Sequence, residues 1–264
     1  MQNYRDKVVW ITGASSGIGE GLAYEFARQG ACLVLSARRT EALEQVRLRC
    51  ANPERHIVLP MDMADTDSMA NKVETALTAC GRIDVLINNA GISQRSLIKD
   101  TDLSVDRRIM EVDFFGPVAL TKAVLPHMLA QGSGQLVVVS SVVGLVATPY
   151  RSAYAAAKHA IAGFYDALRA ETFENGIRVS VIYPGFVKSN VSLSALTGAG
   201  HEHGQLDEKQ ATAMSADEFA VQAVAALAQE KNRIVIAGKE KLAVWLGRLS
   251  PDLLARVIRK IKVT

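Results

Sequence analysis

The chain is short of the residues that mark several protein classes. Only three cysteines occur, Cys32, Cys50 and Cys80. Their odd number and the lack of a CxxC pair indicate neither a disulfide framework nor a zinc site, and small apolar thiols in a reducing compartment are expected. There is no basic tract: 30 basic and 27 acidic residues are mixed along the chain, which excludes nucleic acid as an expected partner. No run reaches the roughly eighteen apolar residues of a spanning helix. The opening "MQNYRDKVVW" has no apolar core behind a basic start. The expectation is a soluble cytoplasmic protein without an integral membrane span.

What is present points to a large buried core, since 49% of residues are hydrophobic and 22% charged. Seven short apolar, β-rich runs, "KVVWIT", "ACLVLSA", "HIVLPM", "DVLIN", "GQLVVVS", "RVSVIYP" and "RIVIAG", alternate with amphipathic helical patterns. Strands that are hydrophobic almost throughout must be covered on both faces, so they form a parallel sheet with helices on each side. The expected fold is α/β: a doubly wound, Rossmann-type, seven-stranded parallel sheet forming one domain over 1–240. Ligands in such folds bind beyond the C-terminal strand ends.

After the first run comes "TGASSGIG". Gly13, Gly17 and Gly19 permit a tight turn and a close backbone approach, and the helix opening behind Ser15, Ser16 and Ile18 directs N–H groups at a pyrophosphate. The spacing is GxxxGxG rather than GxGxxG. After the second run, where an NAD site would offer an acid to the ribose hydroxyl, Arg38 and Arg39 offer guanidinium forks suited to a 2′-phosphate, and NADP(H) is expected.

With "NNAG" at 88, Ser141 followed by Tyr154 and Lys158, and "PG" at 184, the chain resembles the classical short-chain dehydrogenase/reductase family over roughly residues 7 to 236. The resemblance implies hydride transfer between a nicotinamide and a carbonyl or alcohol carbon, with Tyr154 giving or taking the hydroxyl proton. Lys158, one helical turn on, faces the same way. Its charge favours the phenolate, and the family's lysine also holds the nicotinamide ribose. Ser141 would hydrogen-bond the substrate oxygen. Ser140, its strand neighbour, is expected to point away.

The resemblance further implies that Asn89, Ala90 and Gly91 line the cofactor while Asn88 braces the sheet. Pro184 and Gly185 would shape the wall beside the nicotinamide, with Val187 behind them. Ser189 stands where the family often has threonine. Asp62, next to Met63, is read as an adenine contact or as an ordinary loop aspartate. The family's fourth catalytic residue is an asparagine whose carbonyl holds a relay water, and here that position is Asp113, in "EVDFFGP". Pro117 has no N–H to donate to the Asp113 carbonyl, which is left free for water, so the relay could survive. The carboxylate either faces Lys158, holding it charged but weakening its pull on Tyr154, or turns away.

The segment at about 189–215 mixes glycine, serine and charge and is expected to be mobile over the substrate cleft. His201 and His203 within it are read as solvated, and no metal is expected. The extension 241–264 ends in "SPDLLARVIRKIKV", where Ser250 and Pro251 start an amphipathic helix with Leu253, Leu254, Val257, Ile258 and Ile261 on one side. Three destinations fit it: packing on the domain or a partner subunit, narrowing the substrate pocket, or resting weakly on an anionic membrane surface. The resemblance implies a homodimer or homotetramer built on the long helices around 103–131 and 152–174.

The first functional expectation is an NADP(H)-dependent carbonyl reductase. The alternatives are a regulatory or scaffold protein that binds NADP but has lost catalysis, and a reductase of lipid-like or steroid-like ketones.

Overall fold

The computed structural model describes residues 3–207 and 212–259. All seven expected strands form: β1 (Val8–Thr12), β2 (Cys32–Ser36), β3 (Ile57–Val58), β4 (Val85–Asn88), β5 (Gly134–Val139), β6 (Ile177–Pro184) and β7 (Arg233–Ile236). They make one sheet in the order β3-β2-β1-β4-β5-β6-β7, every pairing parallel. The order reverses between β1 and β4, which opens a crevice at their C-terminal ends.

Strand alternation divides the core in two. Val9, Ile11, Leu33, Leu35, Val85 and Ile87 face one layer, while Val8, Trp10, Val34 and Leu86 face the other. The first layer is covered by α1 (Gly17–Arg28), α2 (Thr40–Arg49) and α7 (Ala216–Ala228), the second by α3 (Met69–Cys80), α5 (Gly116–Gln131) and α6 (Ser152–Glu171). In α6 the buried Ala153, Ala157, Ile161, Tyr165 and Leu168 recur every three or four residues, the stripe of a helix lying on a sheet. Helix α7 starts with a capping box in which Ser215 and Glu218 bond each other's backbone N–H.

The long helix expected around 103–131 is interrupted. Helix α4 (Leu103–Met110) widens into a π turn at Glu111–Phe115 before α5 resumes with Pro117 in its first turn. A proline there cannot donate the next backbone bond, and a wider turn accommodates the loss. The turn carries Asp113 inward, where it is fully buried.

Two helices follow β7: α8 (Glu240–Leu249) and α9 (Pro251–Ile258). As expected, Ser250 caps α9 by accepting from the Leu253 N–H. Leu254 and Ile258 pack on a small cluster of Val142, Val146 and Val244, so this extension docks on the domain. Ile261 lies outside the described residues.

Candidate active site

The floor of the crevice is a hydrogen-bonded junction of two loops. The Thr12 hydroxyl accepts from the N–H groups of Asn89 and Ala90 at 3.0 and 3.1 Å, and the Asn89 amide donates to the carbonyls of Thr12 and Gly13 at 3.0 and 3.3 Å. Gly13 and Gly17 adopt φ of +67° and +58°, which a side chain would strain. A Cβ on Gly19 would fall 2.2 Å from the Gly13 carbonyl oxygen. This turn therefore exists only as glycine, and it presents bare backbone at the N-terminus of α1. Dinucleotide phosphates fit that cradle.

Above the floor runs a cleft of about 1730 Å³. It is lined by Gly13, Ser15, Ser16, Gly17 and Ile18 of the glycine turn, and by Arg38 and Arg39 after β2. Asp62 and Met63 follow β3, Asn89, Ala90 and Gly91 follow β4, and Pro184, Gly185, Val187 and Ser189 follow β6. Two expected site residues do not line it. Gly19 is buried against the turn, and Asp113 lies behind Lys158. Asn88 ties β4 to the helices rather than bracing the sheet, since its amide donates to Thr121 Oγ1 at 3.0 Å on α5 and to the Tyr165 hydroxyl at 2.9 Å on α6. The Asp62 carboxylate accepts from the Ala64 N–H at 2.9 Å in a local turn and stands 3.8 Å from Arg108.

The cleft also brings Ser141, Tyr154 and Lys158 together. Ser141 follows β5, and its hydroxyl oxygen accepts from the Val143 N–H at 3.1 Å, an arrangement that leaves its hydrogen to donate. Ser140 instead donates to the Lys158 carbonyl at 2.9 Å, as expected from alternation. The Lys158 ammonium lies 5.6 Å from the centre of the Tyr154 ring and donates to the Val139 carbonyl at 3.2 Å.

Of the two orientations open to Asp113, the carboxylate takes the one toward Lys158: its Oδ2 is 3.0 Å from Nζ, while Oδ1 accepts from the Ile92 N–H at 2.8 Å. Burial is the strongest influence on Lys158 and pulls its pKa down, but Asp113 and then Tyr154 outweigh it, so the ammonium lies above the ordinary lysine value. For Asp113, burial outweighs the ammonium and the Ile92 amide and raises the carboxyl above the usual carboxylate range. Gly91 leaves room for this pair, because a Cβ there would come within 2.9 Å of Asp113 and 3.1 Å of Lys158.

Sequence reasoning missed a second ionic cluster in the cleft wall. Arg95 meets Asp207 through two bonds of 2.6 and 3.3 Å, and Arg151 reaches the same carboxylate at 3.1 Å. Arg151 also stacks on Phe186 at 5.7 Å. These partners are up to 112 residues apart, and no local spacing signals them. The cluster ties Asp207 of the 189–215 segment to the domain, and among its described residues Leu196 bridges to Gln94 and Glu202, and Met214 to Val187. The C-terminal extension adds a further wall, where Glu240, Ala243 and Ile258 line the cleft beside Val142 and Val146; narrowing the pocket was one of the three destinations open to it.

Comparison with known proteins agrees with this geometry. Residues 7–198 match the family model described as short chain dehydrogenase. A dehydrogenase/reductase SDR family protein 7-like from Anopheles gambiae is 43% identical over 261 residues, 96% of this chain and 82% of the relative. Dehydrogenase/reductase SDR family member 7B from Bos taurus is 43% identical over 262 residues, covering 96% and 81%. Among solved structures, a short-chain dehydrogenase from Streptomyces avermitilis superposes with a TM-score of 0.81 at 29% identity, covering 96% of each chain. A parallel sheet that reverses at a glycine-built crevice, with a serine, tyrosine and lysine gathered over it, thus comes with a match along most of the chain, which belongs to the short-chain dehydrogenase/reductase family of nicotinamide-dependent oxidoreductases.

Proposed function

We propose that the protein is an NADP(H)-dependent oxidoreductase that interconverts a ketone or aldehyde and the corresponding alcohol, working as a carbonyl reductase. The observation that carries this reading is that Tyr154, Lys158 and Ser141 line the same cleft as Arg38 and Arg39. The bound dinucleotide would supply the hydride. Ser141 donates to the carbonyl oxygen and stabilises charge as it develops there. Tyr154 gives that oxygen its proton, and the ammonium of Lys158 lowers the cost of the phenolate left behind. The glycine turn would hold the pyrophosphate, with Asn89, Ala90, Gly91, Pro184, Gly185 and Ser189 along the remainder. Arg38 and Arg39 favour a 2′-phosphate, since both side chains are exposed and no acid stands beside them in the sequence after β2.

The apolar wall of Val142, Val146, Ala243 and Ile258 supports a bulky, lipid-like ketone as substrate. A second reading, a dinucleotide-binding scaffold without turnover, draws on the Asp113–Lys158 ion pair, which offsets the ammonium's pull on Tyr154. Exposed Phe115 and Leu103 support assembly as a homodimer or homotetramer through α4 to α6, and three free thiols support a cytoplasmic location. Among the described residues no helix is long and apolar enough to cross a membrane.

The test is NADPH oxidation across a panel of ketones, aldehydes and quinones. Tyr154→Phe is expected to abolish turnover with NADPH affinity nearly unchanged, and Arg38→Ala with Arg39→Ala to raise KM for NADPH about tenfold or more while sparing NADH. NADPH binding without turnover on any substrate would select the scaffold reading.

A further inference from the structure

Among the described residues, one side of the C-terminal helix pair packs on the domain. Val244 is buried, and Leu254 and Ile258 pack on the domain. The other side is exposed among the described residues. On α8, Leu242, Trp245 and Leu249 follow one another at helical spacing and are 71%, 63% and 82% exposed, and α9 adds the exposed Leu253 and Val257. Monomeric surfaces scatter single apolar residues, but five within sixteen positions, one a tryptophan, form a patch that seeks an apolar phase.

Charge identifies that phase. Seven of the 30 basic residues but only two of the 27 acidic ones fall at 239–264, so this tenth of the chain carries +5 while the remainder carries −2. Lys239, Lys241, Arg248, Arg256 and Arg259 are exposed, and the Arg248 guanidinium lies 5.9 Å from the Trp245 ring. A second copy of the chain is a poor occupant, because two-fold symmetry sets one excess of cations against an identical excess.

We propose that this face seats on an anionic lipid surface, with Leu242, Trp245 and Leu249 entering the headgroup boundary and the flanking cations over the phosphates. Tryptophan suits that level, with an apolar body and a polar N–H. Ala243 and Ile258 belong to these same helices and line the cleft, so docking sets the cleft mouth beside the bilayer.

The two tryptophans make the test direct. Trp10 is fully buried, so a change in emission reports Trp245. The full chain is titrated, without substrate, with vesicles of phosphatidylcholine containing about one third phosphatidylglycerol. A blue shift and co-sedimentation are expected, weakened about tenfold on pure phosphatidylcholine vesicles or at high salt. Leu242→Ser with Leu249→Ser, and separately Arg248→Glu with Arg256→Glu, should each weaken binding about tenfold. NADPH-dependent turnover of a water-soluble ketone should stay within about twofold, since these exposed positions lie outside the catalytic wall. Vesicle binding is read apart from turnover, so a failure here leaves the assigned activity standing. No shift or co-sedimentation with the anionic vesicles overturns the proposal. So does equal binding to neutral vesicles, or a blue shift in vesicle-free buffer that tracks a doubled molecular mass.

Discussion

The carboxylate of Asp113 stands 3.0 Å from the ammonium of Lys158, with the two side chains 0% and 5% exposed. In this dry setting the charges are not screened, and each favours the other's ionised form: Asp113 prevails over burial at Lys158, while at Asp113 burial still outweighs the ammonium. The lysine therefore acts on the tyrosine as part of a neutral pair rather than as a lone cation. Asp113→Asn keeps an oxygen for the Ile92 N–H and removes the opposing charge. Turnover per folded enzyme is expected to stay level or rise, with the alkaline limb of the reduction pH profile, where the Tyr154 phenol loses its proton, moving to lower pH. Folding stability should fall by about 3 kcal/mol, because a buried ammonium loses its counter-ion. Denaturant titration and a pH–rate profile check both halves; a loss of turnover beyond about tenfold would assign the carboxylate a direct part in the chemistry.

His56 supplies a pH dependence away from the site. Its Nδ1 accepts from the Leu33 N–H at 3.2 Å and its Nε2 pairs with the Ala51 carbonyl at 2.9 Å, which only the neutral ring can satisfy together. Burial, outweighing the hydrogen bonds at Ala51 and Arg55, holds its pKa below the ordinary histidine value. A depressed folded value means that this stability is fully present above about pH 6.5 and is lost as pH falls through the folded value. The Tm should drop as pH is lowered from 7 toward 5, in a range where ordinary carboxylates stay ionised. His56→Gln should melt lower throughout and with a shallower slope over the same window. An equal slope in both proteins would move the acid sensitivity elsewhere.

The Asp207 carboxylate serves two buried guanidiniums, so Asp207→Asn leaves Arg95 and Arg151 facing each other without it. Destabilisation of about 3–5 kcal/mol is expected, and loosening of the segment at 189–215 should raise KM for the ketone far more than Kd for NADPH. Calorimetry and steady-state kinetics separate these effects; an unchanged KM would show that the segment does not shape the substrate end.

Gly19→Ala tests the cradle. The added methyl would meet the Gly13 carbonyl at 2.2 Å, and neither backbone can yield without distorting the turn. NADPH affinity is expected to drop more than about tenfold by fluorescence titration, and near-wild-type affinity would show that the turn has slack the distances deny.

The sheet could be read from the sequence because each strand is an almost continuous apolar run, and that pattern survives only where both faces are covered. The glycine turn and the Tyr154–Lys158 spacing were legible for the same local reason: turn geometry and helical pitch act over a few residues. The direction of the Asp113 carboxylate was not, since it depends on a π turn and on a lysine 45 positions away. Nor was the Arg95–Asp207–Arg151 cluster, whose members are ordinary polar residues until the chain folds. The C-terminal stripe was visible as amphipathic, yet which of its leucines would find the domain and which would stay bare was decided by the shape of the Val142–Val146 surface.

The Thr12 hydroxyl, shared by two amides of the loop after β4, makes the glycine turn and the "NNAG" stretch one mechanical part. A cofactor loop transplanted from a homologue would lack its matching half, so a chimera aimed at switching dinucleotide preference has to carry both stretches across together.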